Sequence, residues 1–384
     1  MDVEREISCD VLVVGAGPAG SAAALELAHR GLAVHVAEAK RFPRAKVCGE
    51  FLAAGAWRSL EALGAAQAVR RAAVPIGELK VWLEPERSVH VALPIHGGPV
   101  GITRARLDLL LAEAAARAGA RFSFRTRVAR ILVDGDRVKG VVAESPGGRV
   151  LYRPTWVVAA DGRRSVVVRR TGCLIRSGEM GACAIQCHLA VPPSKWPAAV
   201  ELYAVPNGYF GTAPVAEGLV NLCGLVMPAV LRRHRARILQ ALDEQFRSWP
   251  RIRRLLRADI RSLHAIADVA FQIARPQCVN VLYVGDALAT LEPATGQGMT
   301  AALLTGRWAA EEIWLGWRRR ERQVQSRYLA RWHERLSTKR RLSRALGATF
   351  GYASGLSRAL HCTGNFFASA SWILRGLYQA AQVS

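Results

Sequence analysis

Asp10-Val-Leu-Val-Val-Gly-Ala-Gly-Pro-Ala-Gly20 reads as a short buried strand running directly into a glycine turn, and this stretch decides the fold. Residues 21–30 continue as a helix closed by Gly31, and residues 33–37 form a second apolar strand, which completes one βαβ unit. The three glycines of Gly15-x-Gly17-x-x-Gly20 have separate tasks. Gly15 permits the tight turn, Gly17 lets a pyrophosphate approach the backbone at the helix N-terminus, and Gly20 allows close helix-to-strand packing. Pro18 and Ala19, between the second and third glycines, are expected cofactor contacts with them. Glu38, 18 residues after Gly20 at the end of the second strand, offers a carboxylate to the ribose hydroxyls of an adenosine.

Downstream, residues 103–118 carry apolar positions at helical spacing with Gly119 as a stop, and residues 128–133, 138–142 and 156–160 read as strands. The middle third changes character. Residues 182–189, 201–205, 209–215 and 219–226 are short strand-like runs punctuated by Pro and Gly, which predicts an inserted antiparallel sheet. Beyond Pro276 the βα pattern returns, with a strand at 279–284 and a helix at 299–317. The fold class is therefore α/β: a Rossmann-type nucleotide domain, an inserted antiparallel-sheet substrate domain and a helical C-terminal segment. The expected boundaries are 1–80, 98–180 and 270–317 for the nucleotide domain, 81–97 and 181–269 for the insert, and 318–384 for the helical segment.

The βαβ unit does not distinguish NAD from FAD. Two later segments bear on the choice, each a strand followed by a loop into a helix: Ala160-Asp161-Gly162-Arg-Arg-Ser165, and Val284-Gly285-Asp286-Ala287 with Glu292-Pro293-Ala-Thr295-Gly296-Gln-Gly298-Met299 after it. An aspartate at the carboxyl end of a parallel strand lies where ligands bind such sheets. Gly296 and Gly298 would present backbone N–H groups and a positive helix end to an anionic ring edge.

With these three segments in this order, spanning residues 10–306, the sequence resembles the FAD-dependent oxidoreductases of the para-hydroxybenzoate hydroxylase fold, and within them the geranylgeranyl reductase family. The resemblance implies FAD as cofactor, with NAD(P)H as electron donor. It places Glu38 on the adenosine ribose, Arg104 near the phosphates, Asp161 at the FAD or reductant site, Asp286 on the ribityl chain and the loop from Pro293 to Met299 along the ring's pyrimidine edge. Ala39, Arg44, Gly49, Val128, Gly162 and Gly285 complete the expected cofactor contacts. Phe42-Pro43-Arg44-x-Lys46-x-Cys48-Gly49-Glu50 looks like the reductase branch's Cys-Gly segment. Leu288 and Ala289 stand where hydroxylases usually carry a His after the Gly-Asp aspartate. The branch's Tyr-x-Trp-x-Phe-Pro segment survives only as Tyr209-Phe-Gly211-Thr-Ala213-Pro214, and the Trp-x-Trp-x-Ile-Pro segment of halogenases is absent.

The resemblance implies reduction of C=C bonds in an isoprenoid or polyketide-like lipid, with hydroxylation of an aromatic or polyketide substrate as the alternative. Cys48 is a catalytic candidate through its basic neighbours Arg44 and Lys46, or else a thiol packed beside the cofactor. Glu50 is a candidate proton donor. Tyr209 and Pro214 are expected in the substrate pocket, and His96 and His188 read as structural.

Composition is consistent with an enzyme of this kind. A chain of 384 residues with 51% hydrophobic and 22% charged residues can bury large cores, which excludes a disordered or disulfide-scaffold protein. Its eight cysteines include no C-x-x-C pair and no zinc-type ladder, so no metal is expected and reduced thiols in a cytoplasm are the default. The formal charge is +23, but only six of the 53 basic residues are lysine, and the arginines are spread along the chain. That argues against nucleic acid as a partner and leaves an anionic membrane surface in play. The C-terminal stretch is the expected contact, because Arg318 to Arg320 and Lys339 to Arg341 bracket Tyr328 and Trp332, and Phe366, Phe367, Trp372, Ile373 and Leu374 follow.

Overall fold

In the computed structural model, residues 4–360 are described apart from 86, 177–180, 207, 236, 258, 270–271 and 320–322. The aromatic positions at 366–374 lie outside the described residues. Two seven-stranded sheets organise the chain.

The first sheet is built on Arg5–Val14, which pairs in parallel with Val34–Glu38 on one side and Gly148–Ala159 on the other. Arg121–Phe124 extends it beyond Val34–Glu38, and Val281–Tyr283 pairs in parallel with residues 157–159. The first half of Gly148–Ala159 instead pairs antiparallel with Arg137–Ser145, which pairs with Arg127–Asp134. Residues 11–14 are apolar and buried on both faces, as expected for a central parallel strand. Helix Pro18–His29 covers one face and packs against helix Gly298–Arg319.

Register decides where the loops go. Val14 lies opposite Ala37 and Ala159, and Ala159 lies opposite Tyr283. The parallel strands thus end together, and the Gly15 turn, Glu38, Asp161 and Asp286 emerge at one edge of the sheet.

The second sheet runs in the order Ile260–Val269, Ala182–Ala190, Leu219–Val226, Gly208–Ala216, Ala199–Val205, Glu78–Glu84, Arg87–Ala92. It is antiparallel except where Ala199–Val205 meets Glu78–Glu84 in parallel. That joint brings together segments more than a hundred residues apart, and the Glu78–Glu84 strand runs across position 80/81. Alternation along the strands, interrupted by register shifts near Ala182, His188, Pro214 and Trp82, gives the sheet two apolar faces. Tyr203, Phe210 and Leu222 pack under Phe246, Trp249 and Ile252 of the helical stretch between residues 228 and 256, while Val200, Leu202 and Leu225 face the nucleotide domain.

In the described part of the basic and aromatic stretch after residue 317, the two aromatic rings belong to the core. Tyr328 and Trp332 are buried in the main core, and Tyr328 Oη donates to the Tyr283 carbonyl at 2.7 Å. Arg340 is buried, and Arg341 is the exposed member of its triplet. The expected aromatic contact with a membrane fails at these two rings because helix Val324–Leu360 turns them inward.

Small residues set the helix spacing. A Cβ on Gly20 would stand 1.9 Å from the Gly15 carbonyl oxygen, and one on Gly306 would stand 2.2 Å from the Ala19 carbonyl oxygen. Gly306→Ala should therefore push helix Gly298–Arg319 off helix Pro18–His29 and cost about 1–3 kcal/mol. Urea denaturation of the FAD-free protein measures this, and an unchanged midpoint would show that the two helices have room to spare.

Candidate active site

At the shared edge of the first sheet opens a cavity of about 640 Å³, roofed by the inner face of the second sheet. Nearly every expected site residue lines it. From the first loop come Gly15, Gly17, Pro18 and Ala19, and from the second strand Glu38 and Ala39. Arg44, Cys48, Gly49 and Glu50 follow, then Arg104, Val128, Asp161 and Gly162. Gly285, Asp286, Pro293, Gly296, Gly298 and Met299 line the far side, and Tyr209 comes from the second sheet. Gly20 lies beneath the turn, where it packs. Pro214 does not line the cavity either, because strand alternation puts it on the face opposite Tyr209.

The Gly15–Gly17 end is organised by buried charge. Glu38 Oε2 accepts the Ala16 N–H at 2.8 Å and Oε1 the Lys40 N–H at 2.9 Å, which locks the carboxylate to the glycine turn. Arg104 donates two hydrogen bonds to Asp108, at 2.8 and 2.9 Å. Arg44 spans Glu38 at 3.6 Å and Asp108 at 3.4 Å. The missing Cβ of Gly17 leaves a gap whose nearest atoms are the Nη2 groups of Arg44 and Arg104, at 3.7 and 3.8 Å. Gly17 caps helix Pro18–His29 with no side-chain hydrogen bond, so its first-turn N–H groups also face this gap.

Further along, Asp161 Oδ2 accepts the Val166 N–H at 2.7 Å, while Oδ1 is buried without a partner among the described residues. Burial pushes the Asp161 carboxyl up, opposed by Ser165 and the backbone N–H groups. Asp286 sits 3.9 Å from Arg163. Lys46, half-buried, is held below the usual lysine range by desolvation first and then by Arg104, with Asp286 acting the other way.

Glu50 is the most constrained residue of the site. It is 3% exposed and holds φ at +55°, a left-handed conformation that costs a non-glycine residue about 1–3 kcal/mol. Its Oε1 accepts the Arg104 N–H at 2.7 Å, and its Oε2 lies 2.7 Å from His188 Nε2. Its own N–H donates to Cys48 Sγ at 3.3 Å. Burial pushes the Cys48 thiol up, and Arg104 only partly counters this. Arg44 does not make a thiolate here, because it is committed to Glu38 and Asp108, so Cys48 is a protonated thiol.

Sequence reasoning missed two residues. His188 read as structural, yet it reaches Glu50 across 138 positions. Glu292 accepts a hydrogen bond from Tyr209 Oη at 2.5 Å, and burial followed by the Glu292 charge drives that phenol well above its ordinary range. The available signal was alternation, since Ala184, Gln186 and His188 share the face of a strand that looks inward.

Residues 8–305 match the family described as FAD binding domain, and the chain belongs to that family. It is an FAD-dependent oxidoreductase. A menaquinone reductase of Mycolicibacterium smegmatis is 31% identical over 331 residues, covering 79% of this chain and 75% of the relative. A digeranylgeranylglycerophospholipid reductase of Methanosarcina acetivorans is 27% identical over 314 residues, covering 79% and 74%. Among solved structures, a geranylgeranyl bacteriochlorophyll reductase-like protein from Thermoplasma acidophilum superposes with a TM-score of 0.77 at 23% identity, covering 90% of this chain and 88% of that one. A triple mutant of a flavin-dependent brominase gives 0.78 at 20% identity, covering 97% and 95%, so reductases and halogenases share this fold.

The residues present fit FAD. A carboxylate is fixed at the turn, two guanidinium groups face a glycine gap at a helix N-terminus, and a buried Asp161 oxygen awaits a donor. An excess of cations around Lys46 also calls for an anion. A bound diphosphate would raise the Lys46 pKa, so by linkage the protonated form binds more tightly. FAD affinity should fall as pH rises through the alkaline range, by at most about tenfold per pH unit, and Lys46→Met should remove that dependence. Fluorescence-quenching titrations of FAD between about pH 7 and 10 check this, and equal slopes for both proteins would place Lys46 away from the diphosphate.

Proposed function

We propose that the protein reduces carbon–carbon double bonds in an isoprenoid or polyketide-like lipid, with NAD(P)H as electron donor. The observation that carries this reading is the cavity's second wall. Leu79, Ala184, Val200, Leu202 and Leu225 present apolar side chains to the same space whose other end is lined by Glu38 and the two arginines. An apolar substrate loses water on entering such a wall, which also keeps bulk solvent from the reacting atoms. The relatives named for menaquinone and for a digeranylgeranyl lipid support the same substrate class.

In this reading Glu38 holds the adenosine ribose, and the Gly15–Gly17 turn with Arg44 and Arg104 holds the diphosphate. Asp161 Oδ1 and Asp286 accept from the ribityl hydroxyls, and the N–H groups at Gly296 and Gly298 face the ring edge. FAD, when bound, supplies two-electron, hydride-type redox chemistry. The chain's own contribution is to orient the lipid against the second sheet and to deliver a proton from the Glu50 carboxyl. Cys48, as a thiol, packs beside that carboxyl and keeps it dry.

Anaerobic holoenzyme given NAD(P)H and either menaquinone or digeranylgeranylglycerophospholipid should yield a product heavier by two hydrogens per bond reduced, read by mass spectrometry. Substrate-dependent oxygen uptake with a product heavier by one oxygen would overturn this in favour of hydroxylation.

A lipid substrate also requires a membrane approach, and we place the protein peripherally on an anionic, cytoplasmic membrane face. Among the described residues no helix is long and apolar enough to cross a membrane. Trp317 is 43% exposed beside Arg318 and Arg319, an arrangement suited to an interface. Each such cation adds roughly 1 kcal/mol of attraction that salt screens. The protein should float with anionic liposomes at low salt, less so at high salt, and less again as R318E/R319E. Sedimentation of the wild type away from such vesicles at low salt would refute the surface role.

A further inference from the structure

We propose that His188 is the positioning residue of the site: it holds the Glu50 carboxyl toward the cavity and returns to it, through Ser262, the proton spent in each turnover. The inference rests on the reading of Glu50 as proton donor. Four observations carry it.

Glu50 keeps a left-handed backbone although it follows a glycine, so the position retains a side chain where the conformation favours none. Both carboxyl oxygens are engaged, one by the Arg104 N–H and the other by His188 Nε2. The other nitrogen of His188, Nδ1, lies 2.8 Å from Ser262 Oγ. Finally, the two ends of this line differ in access. Glu50 lines the cavity, while His188 keeps 14% of its side-chain surface and Ser262 lies on the outermost strand of the second sheet. The line of atoms from Ser262 Oγ to Glu50 Oε2 therefore joins the outer strand of that sheet to the cavity.

The proton balance closes. With FAD bound, NAD(P)H would supply one hydrogen with its electron pair, and the second carbon of the double bond takes its proton from Glu50. Glu50 recovers it from His188 Nε2, His188 Nδ1 takes one from Ser262 Oγ, and Ser262 takes one from water; the neutral ring, now protonated at Nδ1, returns to its Nε2–H tautomer before the next turnover. One solvent proton is consumed per bond reduced, and no net charge is left on the histidine.

The titratable and charged groups facing Glu50 are His188 from Ala182–Ala190, Arg104 from helix Arg104–Arg117, Cys48 from its own loop and Cys223 from Leu219–Val226. Arg104 is held charged by Asp108 against the effect of burial, and burial holds both thiols neutral. His188 is thus the neighbour of Glu50 that can accept a proton at one ring nitrogen and donate one from the other.

The test uses two readouts on FAD-loaded protein. In ¹⁵N-histidine NMR spectra, with the His188 signal assigned by its loss in His188→Gln, the His188 titration should move to lower pH in Glu50→Gln, because a neutral amide replaces the carboxylate. An unmoved titration would overturn the pairing. In anaerobic turnover of menaquinone or digeranylgeranylglycerophospholipid, His188→Gln should retain FAD and its reduction by NAD(P)H. It should lose about a hundredfold in product formation, the lower end of general acid–base effects. His188→Gly should be partly rescued by added imidazole, which a purely structural role would not allow. Wild-type product formation by His188→Gln, or absence of rescue in a folded, FAD-containing His188→Gly, overturns the relay. If neither lipid is reduced while the titrations are coupled, the substrate reading falls and the pair stands. Ser262→Ala, which leaves the Glu50 contact intact, repeats the turnover test if His188 variants do not fold.

Discussion

The parallel pairing of Arg5–Val14 with strands on both sides is the constraint on which the rest depends. Its register ends the Val34–Glu38, Gly148–Ala159 and Val281–Tyr283 strands at one level, with Val14 opposite Ala37 and Ala159 and Ala159 opposite Tyr283. A slip of one residue would exchange the two buried faces of residues 11–14 and misalign the loops that follow. The glycines enforce the same alignment at closer range. A Cβ on Gly15 would stand 2.6 Å from the Ala160 carbonyl oxygen, so the first turn and the Asp161 loop are in contact only because that atom is absent. Thr305 joins the third loop by accepting the Gly285 N–H at 2.9 Å.

Charge then acts within that frame. Arg44, Arg104, Glu38 and Asp108 form a buried lattice in which each cation has a carboxylate, and the cost of burying ions is met by near-ideal hydrogen-bond geometry at Arg104. Lys46, desolvated and surrounded by guanidinium groups, is left short of negative charge. This arrangement favours an anionic ligand, which would supply the negative charge that Lys46 lacks. At the other end of the cavity the polar groups are neutral or paired: the Tyr209–Glu292 pair and the Glu50–His188–Ser262 line stand against an otherwise apolar sheet.

The second sheet joins these two regimes. One of its faces is closed by aromatic packing, with Trp82 stacked on Tyr203 and Trp249 edge-on to both. That packing leaves the opposite face free to act as a rigid apolar wall. The wall carries two chemically different edges, because alternation along Ala182–Ala190 brings Ala184, Gln186 and His188 to the same side. Gln186 donates to Asn221, and Asn221 to the Cys48 carbonyl, so the sheet also grips the loop that presents Glu50.

Much of this was legible in the chain itself. The Gly15 turn, Glu38, the Asp161 and Asp286 loops and the helix after Gly298 are each local patterns, in which strand periodicity and glycine placement report directly on backbone geometry. Those patterns determined the α/β class, the resemblance they carry implied the cofactor, and nearly all the site residues named from them line the cavity. Others depended on which residues meet across the fold. Pro214 shares a segment with Tyr209 but faces away, Tyr328 and Trp332 turn into the core, and the Cys48 thiol answers to burial more than to its basic neighbours. The pairing of Glu50 with His188 was decided only by the tertiary structure, because a hydrogen bond 2.7 Å long between residues 138 positions apart leaves no local period or spacing to read.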